Sequence, residues 1–533
     1  MQPHVNTGHP RRWAILGVLV VSLLVVVLDN TILNVALKTL ADPVHGLGAT
    51  QSELEWSINS YTLVFAGLLF SFGVLGDRFG RKRFLLIGLT LFGLASLASA
   101  YAQDPGQLIG ARALMGLGGA AIMPVTLSII SNVFDPRERA RAIGVWAGAV
   151  GLGVAIGPIV GGALLESFWW GSVFLINVPI ILAGLLAVSL IVPESRDPRP
   201  GRVDAIGVLL SVAGLTALVY GIIDGGEHGF DRPSVWAWTL GGLAVVAAFI
   251  AWERRSSHPS LDVKLFRDPR FSAANGAIAL VFFAAMGVFF FVPFYLQLVR
   301  GYTPLQTGLL LLPFAVAQLA FAPRSAAMVK RFGAKVVSTV GLLITAAALA
   351  GFALVEADTS LWFVGALFFF QGVGMANVMP PAMESIMSSL PRERAGVGSA
   401  VANTVRQVSA ALGIAVLGAI VAASYRDQIA DTARALPEPA RGLASESVAG
   451  AYGVAERLGA AGQPLISAAN DAFVSAMHLA ALGSGVAAVI AALVVLRWMP
   501  GRGEANLHPL EASARADAQV GQPSGESALA EVS

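Results

Sequence analysis

The residues of this 533-residue chain best placed for chemistry are a carboxylate and a guanidinium set in otherwise apolar runs. Asp29 lies in Leu28-Asp-Asn-Thr-Ile-Leu-Asn-Val-Ala-Leu37, where no other charge occurs. A charged side chain at the centre of a bilayer costs about 2.5–3.5 kcal/mol on insertion scales, so an acid kept there is a functional candidate. A carboxyl held away from water can exchange a proton instead of carrying a permanent charge. Asn30 and Asn34, on the same run, suit packing or substrate contact better than proton transfer. Arg112 opens Arg112-Ala-Leu-Met-Gly-Leu-Gly-Gly-Ala-Ala121. Guanidinium is too basic to release a proton itself. Its expected work is to bias a nearby acid or to hold polar groups during exchange, the alternative being to snorkel to the membrane interface. Tyr61, Met115, Gln318, Gln371, Asn377, Glu384 and the aromatic Phe291 and Tyr295 are the further candidates for lining a substrate cavity.

Two backbone-level motifs accompany these side chains. The stretch Gly73-Val-Leu-Gly-Asp-Arg-Phe-Gly-Arg-Lys-Arg83 reads as a tight turn between helices, with Gly80 available for a positive φ. Asp77, Arg78 and Arg81 fall at helix ends, where charges pair or meet helix dipoles. Along Gly144–Gly162 (GVWAGAVGLGVAIGPIVGG), Gly153, Gly157 and Gly161 recur every fourth residue and leave one helix face without side chains. Another helix can approach such a face to backbone contact. Pro158, inside the stripe, removes one ladder donor and bends the helix. Gly162 extends it.

Other chemistries are excluded. No Lys follows a Gly, so there is no phosphate-binding loop for ATP. There is no Cys, and the seven His are not spaced with carboxylates as metal ligands. The expectation is no enzyme, no cofactor, no metal and no nucleic acid, with the lipid bilayer as the surroundings.

The elements that must position these residues are membrane helices. Hydrophobic residues make up 56% of the chain and charged residues 13%, about half the charge of an average soluble protein. Apolar runs of roughly 20 residues, each long enough to span, occur near 13–37, 52–75, 84–102, 107–131, 141–164, 172–192, 204–224, 235–252, 272–297, 305–323, 335–355, 360–384, 397–423 and 471–496. Fourteen spans put both termini on one side. With that side cytoplasmic, the inner loops hold basic clusters such as Arg78/Arg81/Lys82/Arg83, Arg137/Arg139/Arg141 and Arg196/Arg199/Arg202, against Lys38, Arg232 and Arg300 in the short outer loops. An internal repeat runs through the chain. Pro136-Arg-Glu-Arg-Ala140 recurs at Pro391–Ala395, Met123-Pro124 at Met379-Pro380, and Arg78-Phe-Gly80 at Arg331-Phe-Gly333, with offsets of 255, 256 and 253 residues. Ala327 stands where the repeat would place a second Asp77. The expected organisation is a cytoplasmic segment 1–12, a six-helix bundle 13–192, two inserted helices within 193–270, a six-helix bundle 271–497 with a long outer loop near 424–470, and a disordered cytoplasmic tail 498–533.

These motifs resemble those of the major facilitator superfamily. Gly153, Gly157, Pro158, Gly161 and Gly162 fill its antiporter signature GxxxGPxxGG, and Gly73–Arg83 is similar to its loop signature GxLxDRxGRKR. The Asp29 run resembles LDxTIVNVALP, the first-span motif of the drug:proton antiporter-2 family, with Lys38 in place of the final Pro. Arg112–Ala121 is similar to RxxxGxGaa, and Asn403-Thr-Val-Arg-Gln407 to NTxRQ. The resemblance implies an all-α, fourteen-helix transporter of the bacterial cytoplasmic membrane, a monomer that exports small amphipathic drugs or antibiotics in exchange for protons. It implies Asp29 as proton carrier with Arg112 as its modulator, and a conformational latch at Gly73, Asp77, Arg78, Gly80 and Arg81. A proton-coupled metabolite importer of the same fold and a transport-dead membrane sensor or scaffold remain alternatives at this point.

Overall fold

The computed structural model describes residues 9–196, 204–256, 259, 261–390 and 395–499. The described residues are helical and contain no strand. A first group comprises α1 (Arg12–Ala41), α2 (Gln51–Phe79), α3 (Arg81–Ala100), α4 (Pro105–Val133), α5 (Pro136–Ser167), α6 (Ser172–Leu175) and α7 (Asn177–Ile191). Two helices follow, α8 (Ala205–His228) and α9 (Pro233–Arg255). The rest comprises α10 (Pro269–Phe294), α11 (Pro304–Leu310), α12 (Leu312–Phe332), α13 (Ala334–Gly351), α14 (Leu361–Ala376), α15 (Met379–Ser388), α16 (Ala395–Ala433), α17 (Ala440–Glu446), α18 (Val448–Leu458) and α19 (Gln463–Trp498). Among the described residues, 12 helices are long and apolar enough to cross a membrane, and 13 if the bent pair Gln51–Leu69 and Ser71–Phe79 is one span. Within α5, only the shorter apolar helix Ile156–Ser167 is picked out by that measure.

Local sequence explains the ends and breaks. Thr50 and Glu53 form a reciprocal capping box at the start of α2. Asp104 caps α4 by accepting from the Gln107 amide at 2.8 Å. The run 305–323 breaks between α11 and α12 just before Pro313, and the run 360–384 breaks between α14 and α15 just before Pro380 and Pro381. The segment near 424–470, expected as a loop, is largely helical: α16 continues to Ala433, α17 and α18 follow, and α19 begins at Gln463. Its alanines favour helix over irregular chain. The repeat has a conformational counterpart, since Gly80 (φ +113°) separates α2 from α3 and Gly333 (φ +86°) separates α12 from α13. The second Pro-Arg-Glu-Arg copy (391–394), Arg199, Arg202, residues 1–8 of the first segment and the tail from 500 lie outside the described residues.

In the first group α1 packs on α5 and α7, and α4 packs on α2 and α3. In the second, α10 packs on α16 and α19, and α14 on α12 and α13. The groups meet through α2 against α16 and α5 against α11, while α8 touches both α2 and α16.

The glycine stripe makes two of these contacts. A Cβ on Gly153 would lie 2.8 Å from Val27 Cγ1, and one on Gly161 2.9 Å from Ile32 Cγ2. A Cβ on Gly157 would fall onto the Thr31 hydroxyl. All three partners are on α1, so the stripe seats α5 on the helix that carries Asp29. Gly162 faces the other group, where an added Cβ would lie 2.5 Å from Leu305 Cα of α11. Gly157→Val therefore destabilises the fold by about 1–3 kcal/mol through overpacking, seen as a lower thermal midpoint in detergent. Gly17→Ala, with nothing within 4 Å of the new Cβ, leaves the midpoint unchanged.

Candidate functional site

α1 brings Asp29, and α4 brings Arg112, into one fully buried pair in which each side chain is 1% exposed. Arg112 Nη1 donates to Asp29 Oδ2, and Nε donates to the Ser57 carbonyl of α2 at 3.0 Å. The guanidinium sits 4.6 Å from the ring centroid of Tyr61 and 5.9 Å from that of Phe174. Met115 Sδ lies 3.7 Å from Nη1. Arg112 therefore does not snorkel; it is enclosed by two aromatic faces, a carbonyl and a carboxylate.

Asn177, at the start of α7, completes the site. Its Nδ2 donates to Asp29 Oδ1 at 3.2 Å and to Ser96 Oγ of α3 at 3.1 Å, and Ser96 donates to the Phe174 carbonyl at 2.9 Å. Both oxygens of Asp29 are thus engaged. The Tyr61 hydroxyl and Asn177 Oδ1 are buried without a hydrogen-bond partner. Buried polar groups are usually satisfied, so these two are exceptions beside the buried ion pair. Asn30 Nδ2 donates to the Val26 carbonyl at 2.8 Å, and its side chain lies beside Tyr61. Asn34 is half-buried one turn beyond Asn30.

A second ionic arrangement surrounds the α2–α3 turn. Arg81 Nε pairs with Asp77 Oδ1 at 2.7 Å, and the Arg81 amide donates to the Ser195 carbonyl at 2.9 Å. Glu194, after α7, accepts from the amides of Lys82 (3.2 Å) and Arg83 (3.3 Å) and so caps α3. A side chain on Gly80 would meet that carboxylate at 2.8 Å. Arg78 is exposed, its guanidinium 5.8 Å from the Phe79 ring centroid. Gly73 packs beside Pro124 of α4.

The sequence matches the Major Facilitator Superfamily over residues 19–414. The chain belongs to the major facilitator superfamily. It is 37% identical over 496 residues to the multidrug efflux pump LfrA of Mycolicibacterium smegmatis, covering 93% of this chain and 96% of that one. It is 34% identical to the tetracenomycin C resistance and export protein of Streptomyces glaucescens, covering 91% of each. It is 33% identical to the methyl viologen resistance protein SmvA of Salmonella typhimurium, covering 92% and 98%. Among solved structures, a bacterial homologue of the lysosomal transporter Spinster superposes with a TM-score of 0.63 at 17% identity, covering 93% and 99%. These relatives agree with the drug:proton antiporter motifs, and this superfamily member is a transporter, not an enzyme.

The remaining candidates of this transporter do not gather at the Asp29–Arg112 pair. Phe291 is buried at the end of the bundle near residues 42–50, beside Phe290, Phe294 and Phe473. Tyr295 donates to the Glu356 carbonyl at 2.6 Å. Gln371 is fully buried with neither amide atom hydrogen-bonded, and Asn377 donates to the Val373 carbonyl at 2.8 Å while its Oδ1 stays unpartnered. Gln318 is half-buried and Glu384 exposed. Sequence reading missed Asn177, Ser96 and Glu194. Asn177 left a trace as the one amide in an apolar run; the other two left none.

Removing one partner of a buried pair strands the other. Arg112→Ala should lower stability by about 3–5 kcal/mol, and adding Asp29→Asn should recover part of that loss. Thermal melts of the two single variants and the double variant check the coupling.

Proposed function

We propose that this transporter exports small amphipathic compounds from the cytoplasm in exchange for protons, across the bacterial cytoplasmic membrane, by alternating access. The observation that carries this reading is the enclosed Asp29–Arg112–Asn177 cluster. When Asp29 is ionised, Arg112 and Asn177 hold its oxygens. When a proton binds Asp29, the charge-assisted bonds weaken, and Arg112 turns to the Ser57 carbonyl and the Tyr61 face that already touch it. The pair thus has two arrangements that differ by one proton, which is what coupling requires.

Fourteen spans complete the reading: two six-helix bundles, the α8–α9 pair inserted between them, both termini cytoplasmic, and a monomer as the working unit. The basic loops support this orientation. The contacts between the two groups support an inward-facing state closed on the outside. Lys38 Nζ donates to the Gln297 carbonyl at 3.1 Å, Gln297 Nε2 to the Val35 carbonyl at 3.0 Å, and Gln51 Nε2 to the Gly418 carbonyl at 3.2 Å, all toward the 42–50 end. Opening that end breaks these bonds. The Asp77–Arg81 pair and the Glu194 cap form the latch at the opposite end. Drug efflux as the biological role is supported by the names of the relatives, which are resistance and efflux proteins.

The energetics suffice. One proton moved down about 150 mV yields roughly 3.5 kcal/mol, equal to a substrate gradient of about a few hundredfold. The test is proton release from acidified inside-out vesicles over a panel of dyes and antibiotics. At least one compound should collapse the pH gradient with the unmodified chain and leave it intact with Asp29→Asn. Equal responses from both would move the carrier away from Asp29.

A further inference from the structure

We infer that Glu55 binds a second proton, taken up from the outer side, and that this uptake closes the outer end of the transporter. The inference rests on the orientation and antiport just proposed. Glu55 lies on α2, one turn inside the capping box, and is 2% exposed. Its Oε1 is 3.3 Å from the Gln51 amide nitrogen, and its Oε2 has no hydrogen-bond partner. It lines a small cavity with Glu227 of α8 and Glu446 of α17, closed by Ala419 and Ala422 of α16. Four parts of the chain therefore meet around three carboxyl groups: the first group, the inserted pair, the second group and the outer segment.

No Lys or Arg side chain among the described residues forms an ion pair with them, and His228 supplies at most a weak counter-charge. Among the described residues, neither Glu55 nor Glu446 has a Lys, Arg or His nitrogen within ion-pair distance. His228 Nδ1 is turned to Asp224 at 2.9 Å and stands 4.0 Å from Glu227 Oε2. Arg426 of α16 donates to the backbone carbonyls of Gly226 and Glu227. Glu53 is committed to the Thr50 amide at 2.9 Å. The Glu446 Oε1 is also buried without a partner. One turn along α2 from Glu55, Asn59 is fully buried with neither amide atom bonded.

The size and donors of the cavity select its occupant. It has room for about one water molecule, which excludes an organic cation. Among the described residues no group of three acidic or His side chains is arranged to hold a metal ion. A proton remains. The site is also built to fit, because the Gly418 backbone touches the Glu55 carboxyl where any side chain would collide. With room for no more than about one water between them, ionised carboxylates here repel and are poorly solvated. A proton joining them therefore favours the closing of α2, α8, α16 and α17.

The sign follows from Glu446, which lies outside the spans. Burial first, then Glu227 and Glu53, push its carboxyl up to about 6 against a smaller opposing pull from His228. The closed state binds more protons than the open state. Closure is therefore favoured below about pH 6 and lost as the pH rises through that value.

The chain has no Cys, so Tyr101→Cys and Leu354→Cys place one spin-label pair on exposed sites of the two groups. Distance distributions in nanodiscs are then recorded from about pH 8 to about pH 5. In the unmodified background the closed-to-open ratio should rise as pH falls, by up to about tenfold per pH unit for one proton. Glu55→Gln should hold the closed distance throughout, and Glu446→Gln, on a short segment outside the spans, should flatten the slope. An unchanged slope in both variants, or no pH response in the unmodified pair, overturns the proposal. Asp29→Asn should keep the slope while losing substrate-linked proton release. A slope lost there and kept in Glu55→Gln would assign closure to the Asp29 pair and overturn the proposal, leaving the antiport reading standing.

Discussion

Two opposite charges taken out of water can stay ionised only if each holds the other and the leftover lone pairs and donors find partners. The Asp29–Arg112 pair meets that condition through Ser57, Asn177, Tyr61 and Phe174, which come from α2, α7 and α6 or lie beside them. Five helices of the first group are thereby committed to one point. The surrounding apolar packing fixes the helices; the pair fixes how they register. Under the proposed antiport, a change in the charge of Asp29 would act on α1, α2, α4 and α7 together.

Close backbone packing carries that change outward. α5 rests on α1 through Gly153, Gly157 and Gly161, and on α11 through Gly162 and Gly308. A helix seated on backbone instead of on long side chains has no soft layer to absorb a shift. In the proposed transport cycle, α5 is the element that would carry a movement of α1 to the second group. The 42–50 end, where α1 bonds to Gln297 and α2 to Gly418, is where such movement makes or breaks contacts between groups. The opposite end is tied within the first group by Asp77–Arg81 and the Glu194 cap.

Much of this was legible in the sequence. Charge is so costly in a bilayer that Asp29 and Arg112 stand out, and the structure joins them although 83 residues separate them. The glycine stripe announced a close helix contact, and the repeated Arg-Phe-Gly gave the two positive-φ turns. What could not be read is pairwise. Nothing in the sequence says that Asn177 reaches Asp29, or that Glu194 caps α3, because both depend on how distant helices cross. The position and aromatic content of their helix mark Phe291 and Tyr295 as cavity candidates; the structure sets them toward the 42–50 end, where Phe291 lines a small cavity. The 424–470 segment reads as a long outer connection between spans, and the structure forms most of it into helix, which its alanines favour. Glu55 was hidden by its position beside Glu53, where acids ordinarily serve a helix N-terminus in solvent.

The central claim is that Asp29 gains and loses a proton as substrate binds. Infrared difference spectroscopy of the reconstituted transporter tests it most directly, by following the carboxylic-acid C=O band on addition of a transported compound. The account predicts a protonated-carboxyl band that changes with the unmodified chain and is missing from the Asp29→Asn difference spectrum. The same band, undiminished in Asp29→Asn, would contradict it.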